Sequence, residues 1–511
     1  MKKVFLVGFS TDEQITIAEG LIKKGVNVLY WIGRHDEFES LVQEKNQENS
    51  STIFHNSFDA FEGKPASGVD VSQFEFPGSD VWNFLKKREM QIFQIMDALD
   101  SSNMKFVEKK RLYFTWVCYW YGVLRAFKPE AILFVDVPHI PHNLIIYQLA
   151  EFLGIKNIIS KRAKGLPDMV LFFQNFDNYN ELAEEYERQL LSEVKLEDLS
   201  ADFQAFYQRQ NSPKQGEKLK YSKELYTFLP DKIKESKLIP PTTTIWKHIK
   251  SFTFFRLFFS YIWMLFHTTR KVSLRDQYQP VWKVKLQKRK RVQKNRKFVA
   301  EYQSVQTEVD WNKKFIYIPL HLQPECTTNP LGGVYDDQML MIEMLSRTVP
   351  KDWVIYIKEN PLQWQYERGY FGRYEGYYRD MVKLKNVQVV PLDVSTFDLI
   401  CSSQVVATVT GTAGWEALIR SKPVLVFGSA WYKDCKGVFV IKNTSDCEQA
   451  LKYIENGYRV DRKKIFAFLK AVETIGVRGY TNKKFGRLAD VASEEKTENF
   501  IQAYYKHIQA V

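Results

Sequence analysis

The run from Thr408 to Gly428, TVTGTAGWEALIRSKPVLVFG, leaves few folds open to the chain. A β-branched strand over Val405 to Thr410 breaks at Gly411-Thr412-Ala413-Gly414. A short amphipathic helix over Trp415 to Arg420 follows, then Lys422-Pro423 and a second apolar strand over Val424 to Gly428. That is one strand–turn–helix–strand unit of a parallel sheet, with small residues where the helix begins. Thr410 and Thr412 place hydroxyls beside backbone N–H groups that a first helical turn leaves unpaired. The helix dipole makes the same end locally positive, so the turn can hold a phosphate. Glu416, about one turn further on, can accept hydrogen bonds from a ribose or can simply favour the dipole.

A chain of 511 residues exceeds one ordinary core, so two domains are expected. Hydrophobic residues at 45% and aromatics at 15% exclude a disordered protein. The net charge of +12 suits anionic partners: nucleotide phosphates, acidic glycans, nucleic acid or an anionic membrane face. The five cysteines (Cys118, Cys326, Cys401, Cys435, Cys447) are scattered and show no zinc spacing, which predicts a reducing compartment and no structural metal. At the N-terminus the apolar run is only Val4 to Phe9, and Asp12 and Glu13 follow it. That reads as a first strand and not as a signal peptide, so a cytoplasmic protein is expected.

Strand 4–9, a helix over Glu13 to Lys24 and strand Val26 to Ile32 open a βαβ pattern. Gly8 stands alone without a GxGxxG, so no dinucleotide site follows from it. Residues 81–127 read as helical, with an aromatic stripe (Trp82, Phe84, Phe93, Phe106, Tyr113, Trp116, Trp120) expected in the core. Strand Ala131 to Val135 ends at Asp136-Val137-Pro138-His139, ahead of a helix over Asn143 to Leu153. Ligands of doubly wound folds lie beyond the carboxyl ends of strands, so Asp136 and His139 stand where an acceptor can be met; a purely structural turn is the alternative.

Residues 251–267, SFTFFRLFFSYIWMLFH, are too short, and carry Arg256 too centrally, for a comfortable membrane span. Lys247, Lys250, Arg270 and Lys271 flank them, and nine cations between Lys283 and Lys297 follow without an acid. An aromatic face beside basic residues suits an anionic membrane surface; packing against a neighbouring domain is the alternative. No nucleic-acid module accompanies the basic run, so no nucleic-acid partner is expected.

A second α/β domain begins near Trp311. Its strands Phe315 to Leu320, Trp353 to Ile357 and Val405 to Thr410 present three polar clusters at their ends: His321/Gln323/Glu325, Lys358/Asn360 and Thr410/Thr412/Glu416. The strand-end rule predicts that these converge on one crevice.

LHLQPE, then PLGG, then KENP, then TVTGTAGWEAL…KPVLVFG, in that order over roughly residues 312–440, resembles the bacterial capsule polysaccharide synthesis family. That family includes the Kdo transferases of capsule and lipopolysaccharide assembly. The resemblance implies an α/β, GT-B-like fold with two Rossmann-like domains facing a central cleft, and the aromatic and basic stretch reads as a helical insertion between them. The expected layout is an acceptor-side domain over 1–240, a connecting segment over 241–310, a nucleotide-sugar domain over 311–480 and a helix over 481–511 crossing back to the first domain.

Gln323 and Glu325 fall on the family's QPE positions, so the resemblance makes Glu325 the leading catalytic carboxylate, with His321 and Asp136 as further catalytic candidates. Gln323, Gly332, Gly333, Lys358, Asn360, Thr410, Gly411, Thr412, Ala413, Gly414, Glu416 and Lys433 form the expected nucleotide-sugar site, and His139 the acceptor side. Asn360 departs from the family, which usually has histidine there; asparagine can donate to a phosphate but carries no charge. The implied reaction is sugar transfer from a CMP- or UDP-linked donor to a glycan or glycolipid acceptor at the inner membrane face, without a metal or cofactor and within a polysaccharide assembly complex. A sugar-nucleotide 2-epimerase and a non-catalytic assembly component are the rivals.

Overall fold

The computed structural model describes residues 1–47, 51–100, 104–166, 168–211, 263, 269–271, 278–364, 372–479 and 493–510. The segment 251–267, apart from Trp263, lies outside the described residues.

The first sheet is built from β1 (Lys3–Val7), β2 (Asn27–Gly33), β3 (Ile53–Asn56), β4 (Ala131–Phe134), β5 (Lys156–Arg162) and β6 (Met169–Phe173). Neighbours run parallel in the order β5-β4-β1-β2-β3, and β6 adds antiparallel to β5. The apolar runs of β1 and β4 follow from burial on both faces. Val4 and Leu6 of β1 pack towards the helices Asp12–Lys23 and Ser493–Gln509, while Phe5 and Val7 join the helices Ser79–Leu99, Phe106–Phe127 and Pro141–Leu153.

The stretch read as helical over 81–127 is two helices, because the first stops at Leu99 and the next restarts at Phe106. Of its aromatic stripe, Phe93, Tyr113, Trp116 and Trp120 are core, whereas Trp82 is half-buried and Phe84 and Phe106 are exposed.

β7 (Thr269–Lys271) and β8 (Tyr278–Pro280) pair antiparallel ahead of a 24-residue helix, Val281–Ser304, which carries the basic run. The second sheet is wholly parallel: β9 (Phe315–Pro319), β10 (Val354–Lys358), β11 (Val387–Val389), β12 (Val405–Thr408), β13 (Val424–Val426) and β14 (Val438–Val440). Its order, β11-β10-β9-β12-β13-β14, is the 3-2-1-4-5-6 of a Rossmann fold. The helix after β12 spans Thr412–Ile419 and so starts three residues earlier than the sequence reading, because Gly411 in extended backbone serves as its N-cap.

After the helix Arg462–Ile475 the chain returns to the first sheet. There β15 (Val477–Arg478) pairs antiparallel with β6, and the helix Ser493–Gln509 lies along Asp12–Lys23. One apolar cluster runs from the first sheet through Trp415, Trp431 and Phe468 to Tyr317 and Tyr356 of the second, so the domains share a core on that side.

Candidate active site

In a sheet of this order the strand order reverses between β9 and β12, which run parallel, and the loops leaving those two strands diverge into a crevice. His321, two residues beyond β9, is buried there. Its Nε2 lies 3.0 Å from the Thr408 hydroxyl and receives the Thr410 N–H at 3.3 Å. Thr408 Oγ1 in turn accepts the Gly411 N–H at 3.0 Å. Two clusters that the sequence reading expected to converge therefore touch directly.

Gln323 is held from every side. Its N–H donates to Gln363 Oε1 (2.8 Å), its carbonyl accepts from Gln363 Nε2 (2.9 Å), and its side-chain oxygen accepts from Gln338 Nε2 (2.8 Å) and Arg373 Nη1 (2.7 Å). Arg373 also donates to the His321 carbonyl at 3.1 Å and grips both carboxylate oxygens of Glu359 at 2.7 and 2.8 Å. Neither side chain of that pair has any exposed surface. Arg373 and Glu359 were missed in the sequence because nothing local marks them as partners. The QPE loop thus rests on a buried bidentate ion pair, which fixes direction as well as charge.

That support leaves Glu325 at the domain boundary. Its carboxylate accepts from the Thr327 hydroxyl at 3.0 Å and meets Lys164 Nζ of the β5–β6 turn at 3.4 Å. Burial pushes the Glu325 carboxyl up, but Lys164, the Thr327 hydroxyl and His321 together hold it below the ordinary range, so it is ionised at neutral pH. The His321 imidazole goes the other way: burial lowers it to about 4, with Glu325 opposing and Lys164 and Arg373 assisting. Lys164, absent from the sequence-derived site, comes from the first domain. So does Asp136, exposed at the end of β4, whose charge acts with those of Lys164, Glu325 and Lys161 on the Cys326 thiol; burial is the larger influence and the thiol is raised to about 11. His139 is exposed beside Asp136, with Nδ1 2.7 Å from the Val137 carbonyl.

The glycine turn is partly spent on its own architecture. Besides the two amides bound to His321 and Thr408, the Thr410 hydroxyl donates to the Thr327 carbonyl at 2.5 Å and the Tyr432 hydroxyl to the Gly411 carbonyl. Gly414 is required by packing, since a Cβ there would lie 2.3 Å from the Tyr432 hydroxyl. What remains for a ligand is the first turn of Thr412–Ile419, with Thr412 and Ala413 half-buried and no acidic residue among them. Burial raises the half-buried Glu416 carboxyl against the field of Arg420.

The remaining candidates are tied inward or across. Gly332 packs so closely that a Cβ would lie 2.5 Å from the Thr328 carbonyl oxygen, while Gly333, at φ +58, is open. Gln91 of the first domain donates to the carbonyls of Pro330 and Gly333 at 3.2 and 3.3 Å. Lys358 is buried and donates to the Val394 carbonyl and, at 3.1 Å, to the Thr396 hydroxyl. Asn360 accepts the Leu362 N–H at 3.0 Å and so shapes the turn after β10. Lys433 donates to the Asp177 carbonyl and lies over the Tyr179 ring, both in the first domain. Asp337 caps the helix Gln338–Thr348 through the Met339 N–H at 3.0 Å. Among the described residues no three His, Cys, Asp or Glu side chains gather as a metal site, and no helix is long and apolar enough to cross a membrane.

Two Rossmann-like domains joined across the carboxyl ends of their sheets define the GT-B-like α/β class that the sequence predicted. Residues 256–452 match the family described as capsule polysaccharide biosynthesis protein, and this bears out the resemblance carried by the QPE and glycine-turn motifs. A comparison with curated proteins finds no match. Among solved structures, the UDP-GlcNAc 2-epimerase of Methanocaldococcus jannaschii is 13% identical over 93% of this chain and 99% of that one, with a TM-score of 0.24. The beta Kdo 2,4 transferase KpsC of Thermosulfurimonas dismutans is 11% identical over 67% and 79%, with a TM-score of 0.28. A glycosyltransferase of Rickettsia africae is 8% identical over 100% and 98%, with a TM-score of 0.27. Likenesses of this size carry no argument about activity, and the fold rests on the strand order itself.

Proposed function

We propose that this chain is a glycosyltransferase of capsule polysaccharide assembly, moving Kdo or a related acidic sugar from a CMP- or UDP-linked donor to a glycan or glycolipid acceptor. The observation that carries the reading is the Glu325–Lys164 contact, which sets an ionised carboxylate of the family-matched region against the first domain beside the glycine turn. In this reading the Thr412 and Ala413 amides and the Thr412 hydroxyl receive the donor phosphate, and Glu416 takes the ribose. Glu325 accepts the acceptor's hydroxyl proton as that oxygen bonds to the anomeric carbon and the bond from that carbon to the nucleotide's phosphate oxygen breaks, and the nucleotide leaves as its phosphate anion. Asp136 and His139 line the acceptor side. No metal enters the scheme.

Incubation of the purified protein with a panel of CMP- and UDP-sugars and a capsule-type acceptor tests it. Sugar transfer is the expected result. Inversion at C2 of a UDP-sugar would establish the epimerase instead, and no turnover of any donor would favour a non-catalytic component.

The same reading puts the protein on the cytoplasmic face of the inner membrane, within an assembly complex. Support comes from the helix Val281–Ser304, where Lys283, Lys288, Arg289, Lys290, Lys294, Arg296 and Lys297 are exposed alongside Trp282 and Leu286. Flotation with anionic liposomes, and none with neutral ones, is expected.

A further inference from the structure

Thr408 is the last residue of β12 and is fully buried; it opens the glycine-turn run, but no role in the site follows for it from the sequence. We infer that Thr408 is a positioning residue that, with the Thr410 amide, holds His321 as a neutral imidazole protonated on Nδ1. The ring then offers the bound donor a hydrogen bond and not a proton. The role toward the donor rests on the reading above; the state of the ring does not.

The argument is one of counting hydrogens. Gly411 N–H donates to Thr408 Oγ1 at 3.0 Å, so the single hydroxyl proton of Thr408 is directed elsewhere, and His321 Nε2 stands 3.0 Å away. The Thr410 N–H is aimed at the same nitrogen at 3.3 Å. An amide N–H cannot face another N–H, so Nε2 is the lone-pair nitrogen and the ring's one proton sits on Nδ1. An imidazolium would set two N–H groups against each other in a buried site. The charged groups acting on the ring are Glu325, which favours the cation, and Lys164 and Arg373, which oppose it along with burial. Gly411 completes the seat: a Cβ there would lie 2.7 Å from Thr408 Oγ1 and 3.2 Å from His321 Cε1.

It follows that His321 shuttles no proton at neutral pH, and that acid–base work at this end of the site falls to Glu325. Thr408→Val deletes the hydroxyl while keeping the branched shape, so only the Thr410 N–H, at the longer 3.3 Å, is left to hold Nε2 bare. Thr408→Ser keeps the hydroxyl.

Histidine-selective 15N labelling of the full chain, with two-bond 1H–15N correlation, reads the ring directly; the His321 signals are those lost in His321→Asn. The expected wild-type spectrum has a protonated Nδ1 and a bare Nε2, unchanged between about pH 8 and 5. Thr408→Val should mix the tautomers, and Thr408→Ser should restore one. A protonated Nε2, or an inflection near the ordinary imidazole value of about 6.5, would overturn the inference. So would a Thr408→Val spectrum identical to wild type. None of these readouts needs sugar transfer, so they stand if the donor reading fails. Titration with CMP and UDP tests that part separately: the Nδ1 proton should shift on binding, and binding that leaves it unmoved would remove the donor-facing role.

Discussion

Lys164 Nζ and Glu325 Oε1 meet at 3.4 Å across 161 residues of sequence, and each is 39% exposed at its side chain. An ion pair this open contributes little to stability, so its consequence lies in the charge state of Glu325. Removing Lys164 deletes the leading influence that offsets burial, and the Glu325 carboxyl must rise. The acid limb of the kcat/KM profile in Lys164→Ala should therefore move to higher pH. For the wild type, the stability contributed by Glu325 is full above the ordinary carboxylate value of 4.5 and is lost as pH falls through its depressed value. A pH–rate profile of Lys164→Ala superimposing on wild type would remove Lys164 from this role.

The support beneath the QPE loop makes a stability prediction. Arg373 and Glu359 are both wholly buried, so removing one leaves an uncompensated charge inside the protein. Arg373→Met should cost about 3–5 kcal/mol in denaturant unfolding. Arg373→Lys should recover only part of it, since an ammonium cannot reproduce the bidentate fork. A loss well under about 1 kcal/mol for Arg373→Met would show that the loop is held by other contacts.

The two threonines of the glycine turn should separate. Thr412→Val should weaken nucleotide binding by about 1–3 kcal/mol with little change in melting, the range for a hydrogen bond to a charged group. Thr410 already donates its hydroxyl to the Thr327 carbonyl, so Thr410→Val should instead lower stability, by about 1 kcal/mol. Calorimetric titration with CMP and UDP, beside thermal melting, distinguishes the two. Unchanged affinity in Thr412→Val would place the phosphate elsewhere.

Much of this architecture is legible in the amino-acid sequence. β9, β10, β12 and β13 announce themselves as apolar runs because helices cover both faces of a parallel sheet. The contact between the His321 cluster and the glycine turn follows from which strands are neighbours. The rest lies in partnerships without local signals. Arg373 looks like any surface arginine until Glu359 and Gln323 close around it. Lys164 sits in a turn of the other domain, and Thr408 reads as one more β-branched strand residue. The start of the helix at Thr412 was obscured by Thr-Ala-Gly, residues that serve a turn or a helical first turn equally well.

Gly332 shows how a residue expected at the ligand earns its place through packing. Gly332→Ala would drive a Cβ to 2.5 Å from a main-chain oxygen that cannot swing aside, so it should destabilise the fold by about 1–3 kcal/mol. Gly333→Ala meets open space and should cost about 1 kcal/mol, through its positive φ alone. Equal melting losses in the two variants would contradict this division.

The most direct test of the proposed activity is turnover of Glu325→Gln at saturating donor, with melting as the control for folding. Glutamine keeps the shape and the Thr327 contact while removing the charge that accepts the acceptor's proton. Nucleotide affinity should stay near wild type while kcat falls at least about a hundredfold, the lower range for general-base catalysis. A well-folded Glu325→Gln protein that transfers sugar at close to the wild-type rate would contradict the account and move the search to Asp136 and His139 on the first domain.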